Sequence, residues 1–147
     1  MDGSVAAGLR PGTPDDFPAI ASLLSSCGLP LDGLSADRPF AVVAESAGRL
    51  IGCAAVERYG PSALLRSVAV DAAVRGTGIG TELVEAALAG AAGSATQAYL
   101  LTESAASFFG RLGFRRTSRR LIPAPVRASV EFTSACPASA IAMTRPL

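Results

Sequence analysis

The chain has 147 residues, of which 50% are hydrophobic and 17% are charged, and its formal net charge is +1. This length fits one compact domain, and the composition excludes an intrinsically disordered chain, which combines low hydrophobicity with high net charge. All 13 basic residues are arginine, and neither histidine nor lysine occurs. These absences exclude histidine-dependent nucleophiles, histidine-ligated metals and lysine Schiff bases.

Charge, cysteine usage and hydropathy narrow the class of protein further. A net charge near zero offers no broad field for a phosphate backbone, so nucleic acid is not an expected partner. The cysteines Cys27, Cys53 and Cys136 form no CxxC pair, which disfavours a disulfide framework and a zinc site. No leader pattern opens the chain, and no apolar run approaches the roughly 20 residues that span a bilayer. We expect a cytoplasmic protein with a single domain over residues 1–147, without a metal or a membrane partner.

Apolar patterns along the chain predict an α/β fold, a mixed sheet flanked by helices. In chain order they indicate a strand at residues 8–11, a helix that starts near Thr13 and stops at Gly28, a loop at 29–38, and a hairpin at 40–45 and 50–58. After the hairpin come a strand at 63–70, a helix at 81–92, a strand at 97–102, a helix at 104–112, a strand at 114–118, a helical segment at 123–132 and a last strand at 138–144. The hairpin should turn near Ala47-Gly48. The loop at 29–38 is expected to border the substrate site.

A glycine-rich loop, Arg75-Gly76-Thr77-Gly78-Ile79-Gly80, joins the strand at 63–70 to the helix at 81–92. Glycines at such a junction let successive backbone N–H groups approach one anion, and the helix dipole adds about half a positive charge there. The spacing lacks the GK[ST] of a Walker A loop and the GxGxxG of a dinucleotide fold, but a pyrophosphate is still the best-matched ligand for such an anion site. A turn that serves only close strand-to-helix packing explains the glycines equally well.

Two motifs follow each other in this part of the chain. The first is Leu65-Arg66-Ser67-Val68-Ala69-Val70, followed by residues 71–80 as R-x-x-G-x-G, and the second runs from Ala105 to Phe114. Together they resemble the GNAT (GCN5-related) N-acetyltransferase superfamily, and the order of predicted elements matches it over essentially the whole chain. The resemblance implies an acyl-CoA N-acyltransferase fold with splayed central strands, and acetyl-CoA-dependent N-acetylation by direct attack of an amine on the thioester.

Further segments resemble one group within that superfamily, the arsenic-resistance N-acetyltransferases. They are Tyr59-Gly60, Ala63 to Ser67, Phe108-Phe109, Ile122-Pro123, Arg127-Ala128, Glu131-Phe132 and Cys136 to Ala140. This resemblance implies acetylation of the amino group of a small amino-acid-like toxin. Arsinothricin, an arsenic-bearing glutamate analogue, and phosphinothricin are the suggested substrates, and resistance to them is the suggested outcome.

The superfamily resemblance also implies where acetyl-CoA binds. Backbone N–H groups of Arg75, Gly76, Thr77, Gly78, Ile79 and Gly80, with the Thr81 hydroxyl, would hold the CoA pyrophosphate. Main-chain groups of Val68 and Val70 would bond pantetheine as an added strand does. Phe109 is assigned to the cofactor site, at a position where many relatives have a tyrosine that protonates the CoA thiolate. Water, Ser107 or Tyr59 would then supply that proton, or the thiolate leaves without one.

Catalysis needs only a weak base, because an amine with a pKa of about 8 is roughly one tenth neutral at pH 7. Glu57 and Glu103, each at the end of a strand, are the candidates, although both also fit ordinary solvated positions. Strand alternation places Arg66 on the face of Val68 and Val70, where its planar fork suits a substrate carboxylate or arsinate. An ion pair between Arg66 and Glu57 is an equal alternative. Tyr59 is the second candidate for binding the substrate.

Other features leave the function open. Arg115, Arg116, Arg119 and Arg120 fit a solvated face better than a contact with the CoA 3′-phosphate or a partner. For Cys136, buried packing is favoured over a bond to arsenic. The expected partner is a small-molecule amine, and a homodimer stays open. The alternative functions are a peptide or protein N-acetyltransferase and a non-catalytic acyl-CoA-binding regulator, the latter suggested by Phe109.

Overall fold

The computed structural model describes residues 8–31, 42–129, 132 and 139–147. Seven strands and four α-helices lie in these ranges, with short 3-10 turns at Pro14–Asp16, Ala72–Val74 and Arg119–Leu121. In chain order the elements are β1 (Gly8–Arg10), α1 (Phe17–Ser26), β2 (Val42–Ser46), β3 (Arg49–Tyr59), β4 (Ser62–Val70), α2 (Ile79–Ala91), β5 (Gln97–Thr102), α3 (Ala106–Arg111), β6 (Arg115–Arg116), α4 (Ala124–Arg127) and β7 (Ile141–Pro146).

The strands form one mixed sheet in the order β1-β2-β3-β4-β5-β7-β6. β4 and β5 are parallel, whereas β1–β2, β2–β3, β5–β7 and β6–β7 are antiparallel. The parallel register pairs only Ser62–Leu64 with Gln97–Tyr99, and the ladder ends there although both strands continue. The predicted α/β fold with splayed central strands is confirmed.

The chain divides into two compact units, which we call the first and second units. The first contains Met1–Ala55 and Ser67–Ala87, and the second contains Val56–Arg66 and Leu88–Leu147. β3, β4 and α2 each contribute residues to both units.

In the first unit, α1 packs its apolar side onto the sheet. Ile20, Leu23 and Leu24 are buried in one cluster with Val43 and Cys53. The predicted helix start is present as a capping box between Thr13 and Asp16 that leads through a 3-10 turn into α1. Arg10 donates two hydrogen bonds of 2.8 Å to the Asp16 carboxylate, which holds the pKa of that carboxyl well below its usual range.

Gly52, in the middle of β3, allows α2 to approach the sheet closely. A Cβ at this position would lie 2.6 Å from Leu83 Cδ1, 3.3 Å from the Ala69 carbonyl oxygen and 3.6 Å from Ile79 Cγ2. No side chain fits there without movement of its neighbours. Ile79, the first residue of α2, is thus one of the residues that face Gly52.

The second unit has its own apolar cluster, and the sequence predicts its last elements less well. Its cluster contains the buried residues Leu64, Leu101, Ile122, Val126, Ala140 and Ala142, with Tyr59, Tyr99 and Phe132 packed against them. In the described part of the helical segment predicted at 123–132, an α-helix spans Ala124–Arg127. The preceding 3-10 turn at Arg119–Leu121 was not predicted.

A proline before α4 and the short ladder between β6 and β7 explain where the observed elements differ from the predicted ones. Pro123 favours an extended Ile122, which has ψ of 135°, so the turn before it cannot continue into α4. The strand predicted at 114–118 is limited to the two residues of β6, because only Arg115 and Arg116 pair with β7. The last strand lies at Ile141–Pro146 rather than 138–144. Cys136 and most of the predicted loop at 29–38 lie outside the described residues.

Candidate active site

The glycine loop between β4 and α2 needs glycine for its backbone conformation. Gly76 and Gly78 have φ of +84° and +90°, the left-handed region that side chains disfavour. A Cβ on either residue would meet no heavy atom within 4 Å, so tight packing does not explain these two glycines. Arg75 to Gly78 and Thr81 are exposed, whereas the Ile79 side chain is buried and anchors the first turn of α2.

The backbone donors of this loop are available. Within the described residues, the N–H groups of residues 76–81 make no hydrogen bond, and the first bond of α2 runs from the Glu82 N–H to the Gly78 carbonyl. Unpaired N–H groups at the start of a 13-residue helix form an anion site, to which the helix dipole adds. Of the residues predicted to hold a pyrophosphate, those from Gly76 to Thr81 thus have unpaired backbone donors, whereas the Arg75 N–H donates to the Ala72 carbonyl at 3.4 Å.

Side chains brace the same loop from within. The Asp71 carboxylate accepts a 2.9 Å bond from the Ala73 N–H and pairs with Arg49, which together lower the pKa of Asp71. The Thr77 hydroxyl donates to the Val74 carbonyl at 2.6 Å. The side chains of Asp71 and Thr77 thus hold the loop through bonds to its own backbone.

The second unit contains a charged cluster in which Arg66 is buried and Glu57 and Tyr59 are half-buried. The Arg66 side chain is only 2% exposed, and its NH1 lies 3.4 Å from Glu57 Oε2; the Glu57 side chain is 20% exposed. The Tyr59 hydroxyl donates to Glu57 Oε1 at 2.8 Å. The ion pair that the sequence analysis gave as an alternative for Arg66 is therefore present, and it compensates the burial of the Arg66 charge.

Tyr59 is held in its neutral, proton-donating form. Burial, together with the hydrogen bond and negative charge of Glu57, raises the pKa of Tyr59 to about 12, against smaller opposite effects of a Ser129 hydrogen bond and the Arg66 charge. Ser129 follows α4, is buried, and was not singled out from the sequence. The described cluster thus joins a carboxylate, a guanidinium and a neutral phenol.

One step of the sequence argument is wrong. Ser67 has φ of +55°, which interrupts the extended backbone of β4 between Arg66 and Val68. Simple alternation therefore cannot place Arg66 on the same face as Val68 and Val70. After Ser67 the alternation resumes, with Ala69 buried and Val68 and Val70 half-buried.

Two further predicted residues, Glu103 and Phe109, belong neither to the glycine loop nor to the cluster of Glu57, Tyr59 and Arg66. Glu103 follows β5, is exposed, and makes no hydrogen bond or ion pair with a described residue. Phe109 is buried, with its ring edge-to-face against Phe108 at 5.0 Å and Phe114 at 5.8 Å. Phe109 thus packs in an aromatic cluster.

The described residues include no group of three or more His, Cys, Asp or Glu that could hold a metal ion. Among them, no helix is both long and apolar enough to cross a membrane.

Comparison with known families identifies the class of protein. The family model described as "Acetyltransferase (GNAT) domain" matches residues 37–116, which is more than half of the chain. The chain belongs to this family. It therefore contains a GNAT acetyltransferase domain.

Solved structures share the fold at low sequence identity. N-acetylglutamate synthase from Neisseria gonorrhoeae, complexed with coenzyme A and N-acetyl-glutamate, is 21% identical with a TM-score of 0.80; the match covers 98% of this chain but 36% of that one. Rv2747 from Mycobacterium tuberculosis, in complex with CoA, is 24% identical with a TM-score of 0.79, over 95% and 99% of the two chains. A GNAT acetyltransferase from Staphylococcus aureus is 16% identical with a TM-score of 0.72, over 97% and 99%. No curated protein matches the sequence significantly.

Proposed function

We propose that this enzyme acetylates the α-amino group of a small amino acid of the glutamate type, such as arsinothricin or phosphinothricin. The observation that carries the proposal is the pair of Arg66 and Glu57, which offers both signs of charge in one cluster. A zwitterionic amino acid carries the complementary charges, an ammonium for Glu57 and an acid group for Arg66. The Neisseria synthase, which shares the fold, is complexed with an acetylated glutamate.

The acyl donor is proposed to bind the first unit through its main chain. The N–H groups of residues 76–81 would hold the CoA diphosphate, with the Thr81 hydroxyl beside them. Pantetheine would bond Val68 and Val70 as an added strand does. Because the Val70 carbonyl already accepts a bond from Arg75, Val70 would contribute its N–H.

Glu57 is proposed as the general base, acting directly or through one water. It would take a proton from the substrate ammonium, after which the neutral amine attacks the thioester carbonyl carbon. The C–N bond forms, the C–S bond breaks, and CoA leaves as a thiolate that takes a proton from solvent. A thiol has a pKa of about 8.5, so this leaving group needs no acid such as the tyrosine that Phe109 replaces. Glu103, exposed and unpaired among the described residues, stays the second candidate.

Thiol release tests this function. The protein is mixed with acetyl-CoA and with arsinothricin, phosphinothricin or glutamate, and free CoA thiol is followed over time. A matched control acceptor, the same molecule already N-acetylated, should give only the hydrolysis background. We expect release with at least one of the free amines and a product acetylated on nitrogen.

The alternative functions give different results in the same assay. Release with a peptide amine but with none of the three amino acids would replace this proposal by a peptide N-acetyltransferase. Saturable CoA binding without release from any amine would indicate a regulator that does not turn over.

A further inference from the structure

The side chain of Arg75 folds back onto its own unit. Its Nε donates to the Val70 carbonyl at 3.1 Å, and its NH2 lies 3.4 Å from the Cys27 sulfur. Val70 is the last residue of β4, and Arg75 comes five residues later, directly before the glycines of the loop. One guanidinium thus connects the end of a strand to the start of the loop that follows it.

Cys27 completes this arrangement from another element. It directly follows α1, where its N–H bonds the carbonyls of Leu23 and Leu24, so its position is fixed by the helix end. Its thiol lies 3.7 Å from the Val70 carbonyl, as a donor, while its sulfur accepts from Arg75. Arg75 and Cys27 therefore contact each other and share one carbonyl.

We infer that Arg75 acts through its side chain as a positioning residue for the acyl donor, with Cys27 supporting it. This inference rests on the proposed diphosphate site at residues 76–81. The side chain closes the segment from Val70 to Arg75 into a braced turn, which fixes the loop donors relative to the main chain of β4. Without these contacts of the Arg75 side chain, the loop would lose conformational entropy when CoA binds. That entropy loss would weaken the affinity for CoA.

This role differs from a direct contact with phosphate. A guanidinium that extended to the diphosphate would act as a charge, and its contribution would fall with salt. A guanidinium held by a backbone carbonyl and a sulfur acts through geometry instead. Lysine cannot replace it, since an ammonium is a compact point charge that lacks the planar fork.

The test measures CoA affinity by calorimetry, with no acceptor present. We expect Arg75→Ala to raise the Kd for CoA about tenfold, which corresponds to about 1.4 kcal/mol. Arg75→Lys should also raise the Kd for CoA, by nearly as much as Arg75→Ala. Cys27→Val should raise the Kd about threefold. Cys27→Ser should have a Kd closer to that of wild type, because a hydroxyl can both donate and accept a hydrogen bond. Arg116→Ala is the matched control, because Arg116 is an exposed arginine without an ion pair in the described residues.

Two readouts separate positioning from general damage to the fold. The Arg75→Ala/Cys27→Val double variant should bind CoA no more weakly than Arg75→Ala alone, because both changes remove the same support. The KM for acetyl-CoA should rise while kcat stays within about twofold and the Tm stays near that of wild type.

Several results would overturn the inference. They are a wild-type Kd in Arg75→Ala, additive losses in the double variant, or a loss that disappears at high salt, which would indicate a direct phosphate contact. Failure of the wild-type protein to bind CoA at all would reject the proposed diphosphate site itself. An inactive acceptor screen would leave this binding experiment unaffected.

Discussion

In the second unit, Glu57 is a half-buried carboxylate that contacts both Tyr59 and Arg66. It accepts a hydrogen bond from Tyr59 and is paired with Arg66, yet its side chain keeps 20% of its surface exposed. A carboxylate with this remaining access can exchange a proton with a bound amine, which a fully enclosed ion pair cannot do. Glu103 has the access but no partner that would orient it in the part of the chain described. The two candidate bases therefore have different surroundings in the structure.

Replacing Glu57 by Gln should separate catalysis from donor binding. We expect Glu57→Gln to lower kcat about 100-fold, the lower end of what a general base contributes, while the Kd for CoA stays within about twofold. The Tm should fall, because Arg66 loses its counter-charge in a buried position. Steady-state kinetics and calorimetry on the same preparations give both quantities.

Glu103→Gln is the matched control, and its kcat should stay within about twofold of wild type. If Glu103→Gln loses activity and Glu57→Gln keeps it, the base is Glu103 and the cluster around Arg66 is structural.

The pKa of Tyr59 predicts a pH dependence of stability. A tyrosine whose pKa is raised to about 12 from its ordinary value of 10.0 favours the folded state while it is neutral. This contribution is complete below pH 10 and is lost as the pH rises from about 10 to about 12. The free energy of unfolding should therefore fall over that window in wild type, and less steeply in Tyr59→Phe.

Urea unfolding at pH 8, 10 and 11.5 measures the difference between the two proteins, in which the titration of other groups cancels. A constant difference across the three pH values would show that Tyr59 is not linked to folding.

Among the secondary-structure elements, the sequence predicted the helices and strands whose ends are set by nearby capping or turn residues. α1 begins after Thr13 and ends before Gly28, which has φ of +70°, as its capping residues indicate. The hairpin turns at Ala47 and Gly48, both of which have positive φ. The order of strand, glycine loop and helix at the proposed donor site was predicted in the same way.

Elements set by tertiary contact could not be predicted. β6 exists because two residues pair with β7, and nothing in its own sequence limits it to two. The positive φ of Ser67 also has no signal in the sequence, since serine rarely adopts this conformation. Strand alternation could therefore not predict the face on which Arg66 lies. The close approach at Gly52 did have a signal, a glycine within an apolar strand, which often marks a neighbouring backbone or helix.

Gly52→Ala tests how far that contact positions α2. The added Cβ would lie 2.6 Å from Leu83 Cδ1, so Leu83 or the helix must move. We expect a loss of about 1–3 kcal/mol in the free energy of unfolding, typical of overpacking, and a raised Kd for CoA because the start of α2 shifts with Ile79.

Gly90→Ala is the matched control in α2, because a Cβ there meets nothing within 4 Å. It should raise the stability by about 0.5–1 kcal/mol and leave the Kd unchanged. An unchanged Tm and Kd in Gly52→Ala would mean that the helix adapts without cost.

For the molecule as a whole, the net charge of +1 is the sum of an acidic first unit and a basic second unit. The sequence ranges of the first unit carry four arginines and nine carboxylates, whereas those of the second carry nine arginines and three carboxylates. Within the second unit, residues 111–127 contain six arginines and no acidic residue. Arg111, Arg115, Arg116, Arg120 and Arg127 are exposed, and none forms an ion pair with a described residue.

Two of these arginines occupy β6, the terminal strand in the order of the described sheet. Charged side chains on an edge strand oppose pairing with the edge of another molecule, because burial in a new ladder would desolvate and juxtapose them. The exposed fraction of both side chains is high, so they are available for this role. Their charge should therefore influence the association state of the protein.

Replacing both residues of β6 by valine should promote self-association. Valine favours an extended, paired backbone and removes two like charges from the edge, so Arg115→Val/Arg116→Val should show a mass that rises with protein concentration. Size-exclusion chromatography with light scattering measures this mass, and Arg115→Lys/Arg116→Lys, which keeps the charge, should behave like wild type. An unchanged mass in the valine variant over a tenfold range of concentration would show that the edge is protected by something other than its charge.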